Sequence, residues 1–421
     1  MFPPPQGSVY THIMSETPVI RSEPSIDRGS SGLRVAVIGV GARSSIAHHV
    51  ATVRPGSAVV AAADIHAAGR DRARASFGDI AVHGDTASLI AAGGFDVAIV
   101  TSPDDTHAEI AVQLLRAGIP SYVEKPLAIT LEDADAVLTT AAETGTPLYI
   151  GHNMRHSAFV KVMRGVIERG EIGEVKAVWV RHFVGNGGDY YFKDWHADRS
   201  RTNTLLLQKA SHDIDIVHYL AHGYTRRVVG MGDLMVYGDV TDRRDRTGEL
   251  MPDWFSLDNW PPAAATGLNP VVDVEDVSMM MMTLDNGVMA SYQQCHFTPD
   301  YWRNYTVIGT EGRLENFGDT NDAVVRVWNR RHEWQLAGDA EYVVDGVDSG
   351  HADADLESMR EFLDHVVDGA PTVVSPLAAR EAVAAGSLAA ASLRDGSRPV
   401  AVPELPAHVV AHFRRIAAPQ A

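Results

Sequence analysis

Three observations predict an α/β protein whose N-terminal half is a doubly wound parallel sheet and whose C-terminal half is an α+β unit on an open, mostly antiparallel sheet. The apolar run Arg34 to Gly39 leads straight into a glycine-rich loop and then into helix-compatible residues. Short apolar runs alternate with helical segments as far as Ile150, the pattern of a parallel sheet covered on both faces. After about Gly151 the rhythm changes to longer strands, several closed by hairpin turns such as Asp285-Asn286-Gly287.

With 421 residues, 45% of them hydrophobic and 21% charged, the chain has material for two domains. Residues 1–32 read as a disordered extension, rich in Pro, Ser and charge, without the apolar run of roughly 7 to 15 residues that a secretory signal requires. Met14 is an alternative start. A cofactor unit is expected over 33–151 and a substrate and oligomerisation unit over 152–421, with 238–275 as an insertion loop. The net charge of -18 argues against nucleic acid or an anionic membrane surface as partner. No stretch approaches the roughly 20 apolar residues that span a bilayer, and Ala382 to Leu393 reads as a short, alanine-rich amphipathic helix. The single cysteine, Cys295, cannot form an internal disulfide and reads as an inert core thiol on a strand, which fits a reducing cytoplasm.

In the first half the expected strands are Arg34 to Gly39, Ala58 to Asp64, Val97 to Thr101, Ser121 to Glu124 and Pro147 to Gly151. Gly39 permits the tight turn after the first strand, and Gly41 lets a pyrophosphate approach the backbone. Ala42 and Arg43 continue the loop, and Ser44 takes the third small position, where helix meets strand. Asp64 lies 25 residues after Gly39, close to the roughly 20-residue spacing of the carboxylate that accepts hydrogen bonds from an adenosine ribose. That spacing favours NAD. Arg43 keeps NADP as the alternative, because a guanidinium there could pair with a 2'-phosphate. Downstream stand Thr101-Ser102-Pro103 with His107, and then Glu124-Lys125-Pro126.

This ordered set resembles the Gfo/Idh/MocA superfamily, named for glucose-fructose oxidoreductase, inositol dehydrogenase and rhizopine catabolism. Gly151-His152-Asn153-Met154-Arg155 is similar to its sheet-crossing segment, Gly170 to Val175 to the turn opening its second domain, and Gly309-Thr310-Glu311-Gly312 to a turn in its C-terminal sheet. The resemblance covers about 33 to 400. It implies a Rossmann domain and an NAD-dependent oxidoreductase. Its cofactor set would be Gly39, Gly41, Ala42, Arg43, Ser44, Asp64, Thr101, Ser102, Pro103, His107, Glu124, Lys125 and Asn153. Lys125 would point at the reacting hydroxyl and the nicotinamide, stabilising developing alkoxide charge. A dimer or tetramer built sheet to sheet is expected as in the family, since a broad bare sheet is an aggregation liability.

In the second half a helix is expected over Phe159 to Arg169 and strands over Val175 to Val184, Val277 to Leu284 and Gly287 to Cys295. Leu205 to Asp215 resembles the family's helix motif, in which an acidic residue precedes a histidine by four and an aspartate follows it by three. His212 and Asp215 match, on one helical face. His212 would be the general base, since an imidazole titrates near neutrality. Gln208 occupies the usual aspartate position; an amide holds a hydroxyl but cannot take its proton. Lys209 beside it would contact cofactor or substrate, and Arg155 joins the substrate set. Upstream, Asp189 to Arg199 interleaves aromatics and charges, and Tyr191, Asp194, Trp195 and His196 would receive a polyhydroxylated ring, its apolar face on the aromatics and its hydroxyls on the polar groups. The insertion 238–275, with Trp254, Phe255 and Trp260, is too apolar for a free linker and should fold against the cleft of its own or a neighbouring subunit.

The expected activity is hydride transfer between a secondary alcohol of a sugar, sugar derivative or cyclitol and the nicotinamide. Three alternatives stay open. A glycosidase or epimerase could oxidise a sugar carbon transiently and regenerate NAD each cycle. A protein of this pattern could bind sugar or cofactor without catalysis. A metal-dependent hydrolase or lyase could use His196, His212, Asp213, Asp215 and His218, although their spacing matches no ligand pattern and no metal is expected.

Overall fold

A computed structural model describes residues 32–320, 322–345 and 352–417. The expected disordered extension thus lies outside the described residues, apart from Gly32. The first sheet holds β1 (Arg34–Ile38), β2 (Ala58–Ala63), β3 (Ala81–His83), β4 (Val97–Val100), β5 (Ser121–Val123) and β6 (Leu148–Ile150) in the order β3-β2-β1-β4-β5-β6, all parallel. Its strands read as unbroken apolar runs because both faces are covered. Ala36, Ile38 and Val100 face one core while Val35, Val37 and Ile99 face another. β3 was not expected; three residues ending in His83 are too short and too polar at the edge to carry a strand signal.

The second sheet has β7 (Val175–Val184), β8 (Thr225–Asp233), β9 (Val277–Leu284), β10 (Met289–Cys295), β11 (Tyr301–Gly309), β12 (Arg313–Phe317), β13 (Val324–Trp328), β14 (Ala340–Val343) and β15 (Val400–Ala401). Their order is β14-β13-β12-β11-β7-β10-β9-β8-β15. Only the central β7 and β10 run parallel among its pairs. β7 and β9 alternate buried and more exposed positions, as a sheet covered on one face requires. The two turns singled out in the sequence meet: Thr310 N donates to Glu174 O at 2.9 Å and Glu311 N to Ile172 O at 2.9 Å. Gly173 is needed there, since at φ +68° a Cβ would stand 2.4 Å from Thr310 Oγ1.

Two C-terminal helices return to the first sheet. Met359, Phe362 and Leu363 of the helix Ala352–Asp368 pack with Tyr122 and Tyr149. The helix Pro376–Arg394, capped by Ser375, is more than amphipathic: Ala379 and Val383 enter the core of the first sheet, while Ala382, Ala385 and Ala389 enter that of the second. Its small side chains let it run between both halves. No described helix is long and apolar enough to cross a membrane. Cys295 is a free, half-buried thiol on β10, with burial pushing its pKa up.

Candidate functional site

A cleft of about 550 Å³ runs along the carboxyl ends of β1, β2, β4 and β5 and under the first helices of the second half. Its nucleotide end is backbone-built. Gly39 turns at φ +81°, and a Cβ on it would stand 2.4 Å from Ser102 Cα. Thr101 Oγ1 donates to Gly39 O at 2.5 Å, and Ser44 Oγ to Gly41 O at 2.7 Å. Ser44 is buried below the loop, the packing role its small size predicts. A Cβ on Gly41 would meet no atom within 4 Å. Here the loop has the open space that close approach of a pyrophosphate requires.

Asp64 borders the same space, with Oδ2 accepting from Val40 N and Oδ1 from His66 N, both at 2.8 Å. Each carboxylate oxygen retains acceptor capacity for a ribose hydroxyl. Asn153 also borders the cleft; its Nδ2 donates to Asp355 Oδ1 at 2.6 Å while its buried Oδ1 has no protein partner. The residues therefore fit a dinucleotide: open backbone at Gly41, a carboxylate at the ribose position, and a free buried acceptor at Asn153.

Arg43 corrects an expectation. Its guanidinium pairs with Glu124, at 2.5 Å, and with Asp355, at 2.8 Å, instead of standing ready for a 2'-phosphate. Burial works against its charge, but those two carboxylates hold its pKa above the ordinary arginine value. Glu124 is thereby a tie between the glycine-rich loop and the Glu-Lys-Pro turn. His107 makes the other tie, with Nδ1 2.7 Å from Pro126 O and Nε2 2.8 Å from Ser102 O. Pro103 borders the cleft between them.

At the substrate end, Lys125 Nζ donates to Gln208 O at 3.1 Å, so the first half holds the end of the helix Leu205–Gln208. Gln208 Oε1 is buried in the cleft wall without a partner. The expected single helix is broken: Leu205–Gln208 stops, and Ser211–Ala221 begins two residues later with His212 in its first turn. Lys209 occupies the break, its ammonium 5.7 Å from the centre of the Tyr191 ring. Burial, reinforced by Arg303 and Lys125, pulls the Lys209 pKa down to about 7. Lys125 is lowered by the same desolvation, opposed by Asp104 and Glu124.

His212 lines the cleft, 6.2 Å ring to ring from His152. Tyr191, Asp194, Trp195 and His196 line it too, with Trp195 stacked on His196 at 3.7 Å. Asp215 and Arg155 do not line it, contrary to expectation. They form a two-point ion pair, both contacts 2.7 Å, each side chain only 2% exposed, with His152 Nδ1 3.3 Å from Asp215 Oδ1. Asp215 shares a helical face with His212 but stands about one turn further along, where the buried Arg155 claims its carboxylate.

Tyr190, Lys193 and Asp198 of the expected substrate run Asp189 to Arg199 line the cleft as well, whereas Asp104 was not singled out by sequence. Asp104 is buried beside Lys125 and accepts from Thr202 Oγ1 at 3.3 Å. Burial pushes its pKa up to about 8, with Lys125 pulling the other way. It follows Pro103 directly, between Thr101-Ser102-Pro103 and His107, and that position was the available signal.

The insertion 238–275 folds against the cleft by different anchors from those expected. Tyr237, Val240, Ala265, Leu268 and Val274 form a core with Tyr191 and Phe192. Trp254 lies under Arg246, whereas Phe255 and Trp260 face outward. Its segment 245–251 lines the nucleotide end, where Arg72 Nη1 donates to Gly248 O at 3.1 Å. Among the described residues no cluster of His, Cys, Asp and Glu could hold a metal ion.

Residues 33–152 match the family model described as oxidoreductase family, NAD-binding Rossmann fold, and 160–315 match the GFO/IDH/MocA C-terminal domain. The chain belongs to this NAD-binding oxidoreductase family. An inositol 2-dehydrogenase of Klebsiella pneumoniae is 30% identical over 204 residues, 47% of this chain and 56% of that protein. A 1-carboxy-3-chloro-3,4-dihydroxycyclohexa-1,5-diene dehydrogenase of Comamonas testosteroni is 27% identical over 216 residues, 51% of this chain and 53% of that protein. The chain thus spans about half the length of these curated relatives. A solved levoglucosan dehydrogenase complex with NADH and levoglucosan has a TM-score of 0.73 at 18% identity, covering 89% of this chain and 100% of its own. At that identity it establishes the fold alone.

Proposed function

We propose that this family member is an NAD-dependent dehydrogenase that moves a hydride between a secondary alcohol of a sugar, sugar derivative or cyclitol and the nicotinamide. The observation that carries the reading is that Lys125 and His212 line one cleft whose other end is the glycine loop and Asp64. The names of the curated relatives, an inositol and a dihydroxycyclohexadiene dehydrogenase, support a ring with secondary hydroxyls.

When bound, NAD supplies the hydride acceptor. Lys125, fixed through Gln208 O and the Pro126 turn, stabilises charge developing on the substrate oxygen. His212 accepts the hydroxyl proton as the C–H bond is broken. Gln208 Oε1, a buried acceptor without a protein donor, takes a neighbouring hydroxyl, since leaving it unpaired costs about 1 to 3 kcal/mol. Tyr190, Tyr191 and Trp195 offer apolar faces to the ring. Arg155 and Asp215 hold the helix that presents His212.

The test is NADH formation across a panel of sugars, sugar acids and cyclitols, with product analysis for turnover without net NADH. Release of modified sugar with no accumulation of NADH would replace the dehydrogenase by the redox-neutral cycle.

The same proposal includes a second copy of the chain over the bare face of the second sheet. Trp179, Met231, Met279, Met281 and Met289 are exposed there, Met281 by 62% and Met289 by 64%, with Met231 directly opposite Met279. Such a contiguous apolar face in water marks an interface. Light scattering should give a dimer or larger assembly, and Met281→Lys with Trp179→Asp should shift it toward monomer.

A further inference from the structure

The charge balance around Lys209 is uneven, and the dehydrogenase reading gives that imbalance a meaning. Two carboxylates lie near enough to act on Lys209, Asp213 and Asp319, and Arg303 takes both: Nε is 3.2 Å from Asp213 and Nη1 3.5 Å from Asp319. Asp213 is further occupied by Tyr305 OH and by His182 Nδ1 at 3.3 Å, and Asp319 by Tyr301 OH at 2.7 Å. No ion pair among the described residues involves Lys209. Its other charged or titratable neighbours are Lys125 and Arg303, which oppose its charge, the Tyr191 ring, and the histidines His182, His196 and His296. The Lys125 ammonium, across the cleft, donates to Gln208 O and has Asp104 beside it.

An ammonium half-withdrawn from water without a counter-charge is unfavourable, and proteins either neutralise it or pair it. Among the described residues no carboxylate forms an ion pair with it, while the ammonium borders the cavity of the proposed substrate. We propose that Lys209 is the anchor for a carboxylate carried by the substrate, so that the cleft takes a sugar acid or carboxylated cyclitol in preference to its neutral parent. A carboxylate suits the site better than a phosphate. Asp194 lines the same cleft and repels a dianion more than a monoanion, and Arg303, the guanidinium nearest in effect to Lys209, is committed to its two aspartates.

The anchor gives binding a sign with pH. Free of ligand, Lys209 titrates at about 7 because burial, Arg303 and Lys125 disfavour its charge. A bound carboxylate favours the charged form and raises that pKa. Below about pH 7 the ammonium is already present, and binding takes up no proton. Above it, binding takes up a proton, and affinity falls by up to about tenfold per pH unit.

The inference rests on the dehydrogenase reading, and calorimetry on the NADH-loaded protein separates the two. The probes are D-glucuronate and D-galacturonate, their neutral parents glucose and galactose, and glucose 6-phosphate. At pH 6.5 the uronates should bind about tenfold or more tighter than the parents and the phosphate, the scale of one charge-assisted contact. Lys209→Met should erase that preference while NADH still binds. Lys209→Arg should keep the preference and lose the decline in affinity above pH 7, because a guanidinium does not titrate there. Equal binding of parents and uronates, preference for the phosphate, no uronate binding, or a uronate preference that survives Lys209→Met overturns the anchor. NADH made from neutral sugars alongside that result leaves the dehydrogenase standing. Uronates that bind through Lys209 but never reduce NAD leave the anchor standing and sink the dehydrogenase.

Discussion

At the nucleotide end of the cleft Arg43 is clasped by two carboxylates, Glu124 and Asp355, whereas at the substrate end Lys209 faces the Tyr191 ring with no carboxylate of its own. The first end has its cation fully paired and recognises through backbone and one acid, Asp64; the second keeps an unbalanced cation, an unpaired amide oxygen on Gln208 and stacked aromatics. A site that must hold the same cofactor throughout a family can be satisfied in advance. A site that must discriminate leaves polar groups for the ligand to complete, at some expense to stability.

The largest effect should come from a charge in the substrate half that is not part of the site. Arg155→Ala leaves Asp215 buried and unpaired, and should destabilise the fold by about 3 to 5 kcal/mol in urea unfolding. A variant of near-normal stability with only a raised KM would move Arg155 into the site and blur the division.

Next come the two groups that the proposed reaction sets on the reacting hydroxyl. His212→Ala and Lys125→Met should each lower turnover by about a hundredfold or more with NAD binding retained, the usual scale for positioned acid-base and electrostatic groups. If His212→Ala turns over almost normally, the proton goes elsewhere, and Lys209 becomes the better base.

Cofactor choice tests the nucleotide end. NAD should be preferred over NADP by roughly 1 to 3 kcal/mol, because Asp64 would meet a 2'-phosphate while Arg43 is already engaged. Equal use of NADP would require Arg43 to leave Glu124 and Asp355, which a crystal structure with NADP would reveal.

The same contrast explains what the sequence could and could not disclose. The glycine loop and Asp64 were legible because backbone geometry dictates residue type at fixed offsets from a strand end, and Lys125 through the resemblance of Glu124-Lys125-Pro126 to the family's turn. β7 and β9 were legible to the residue because one covered face imposes strict alternation. β8 and β11 to β14 were not, since arginines, asparagines and glutamates interrupt the alternation in several of them. Asp215 was assigned to the site by its spacing from His212, but spacing gives a shared helical face and not the partner that each side chain finds there. Arg155, distant in sequence, claims the carboxylate. The Arg303 network that leaves Lys209 unbalanced joins residues from three elements and has no local pattern at all.

A smaller effect belongs to the insertion. Replacing 245–251 with a short glycine linker removes the wall that meets Arg72 at Gly248, and should weaken NAD binding by about tenfold while leaving its preference over NADP intact. Unchanged NAD affinity would show that the nucleotide end is complete without the insertion.

The smallest effect needs no ligand. In the folded protein the Lys209 pKa is lowered to about 7, so between that value and the ordinary lysine range the unfolded chain binds more protons than the native one. Stability contributed by this residue therefore rises with pH across that window and is lowest below it, where the native state must carry the charge. Lys209→Met removes the burden at every pH. It should exceed the wild type in urea midpoint near pH 6, and the gap should narrow steadily as pH climbs from about 7 toward 10. Asp104 runs the opposite way: its pKa is raised to about 8, so its charge weighs on the native state increasingly from about pH 4 up to 8, and Asp104→Asn should gain on the wild type over that lower window. A gap for Lys209→Met that stays constant from pH 6 to 10 would mean that its ammonium finds a counter-charge after all, and the contrast between the two ends of the cleft would fall with it.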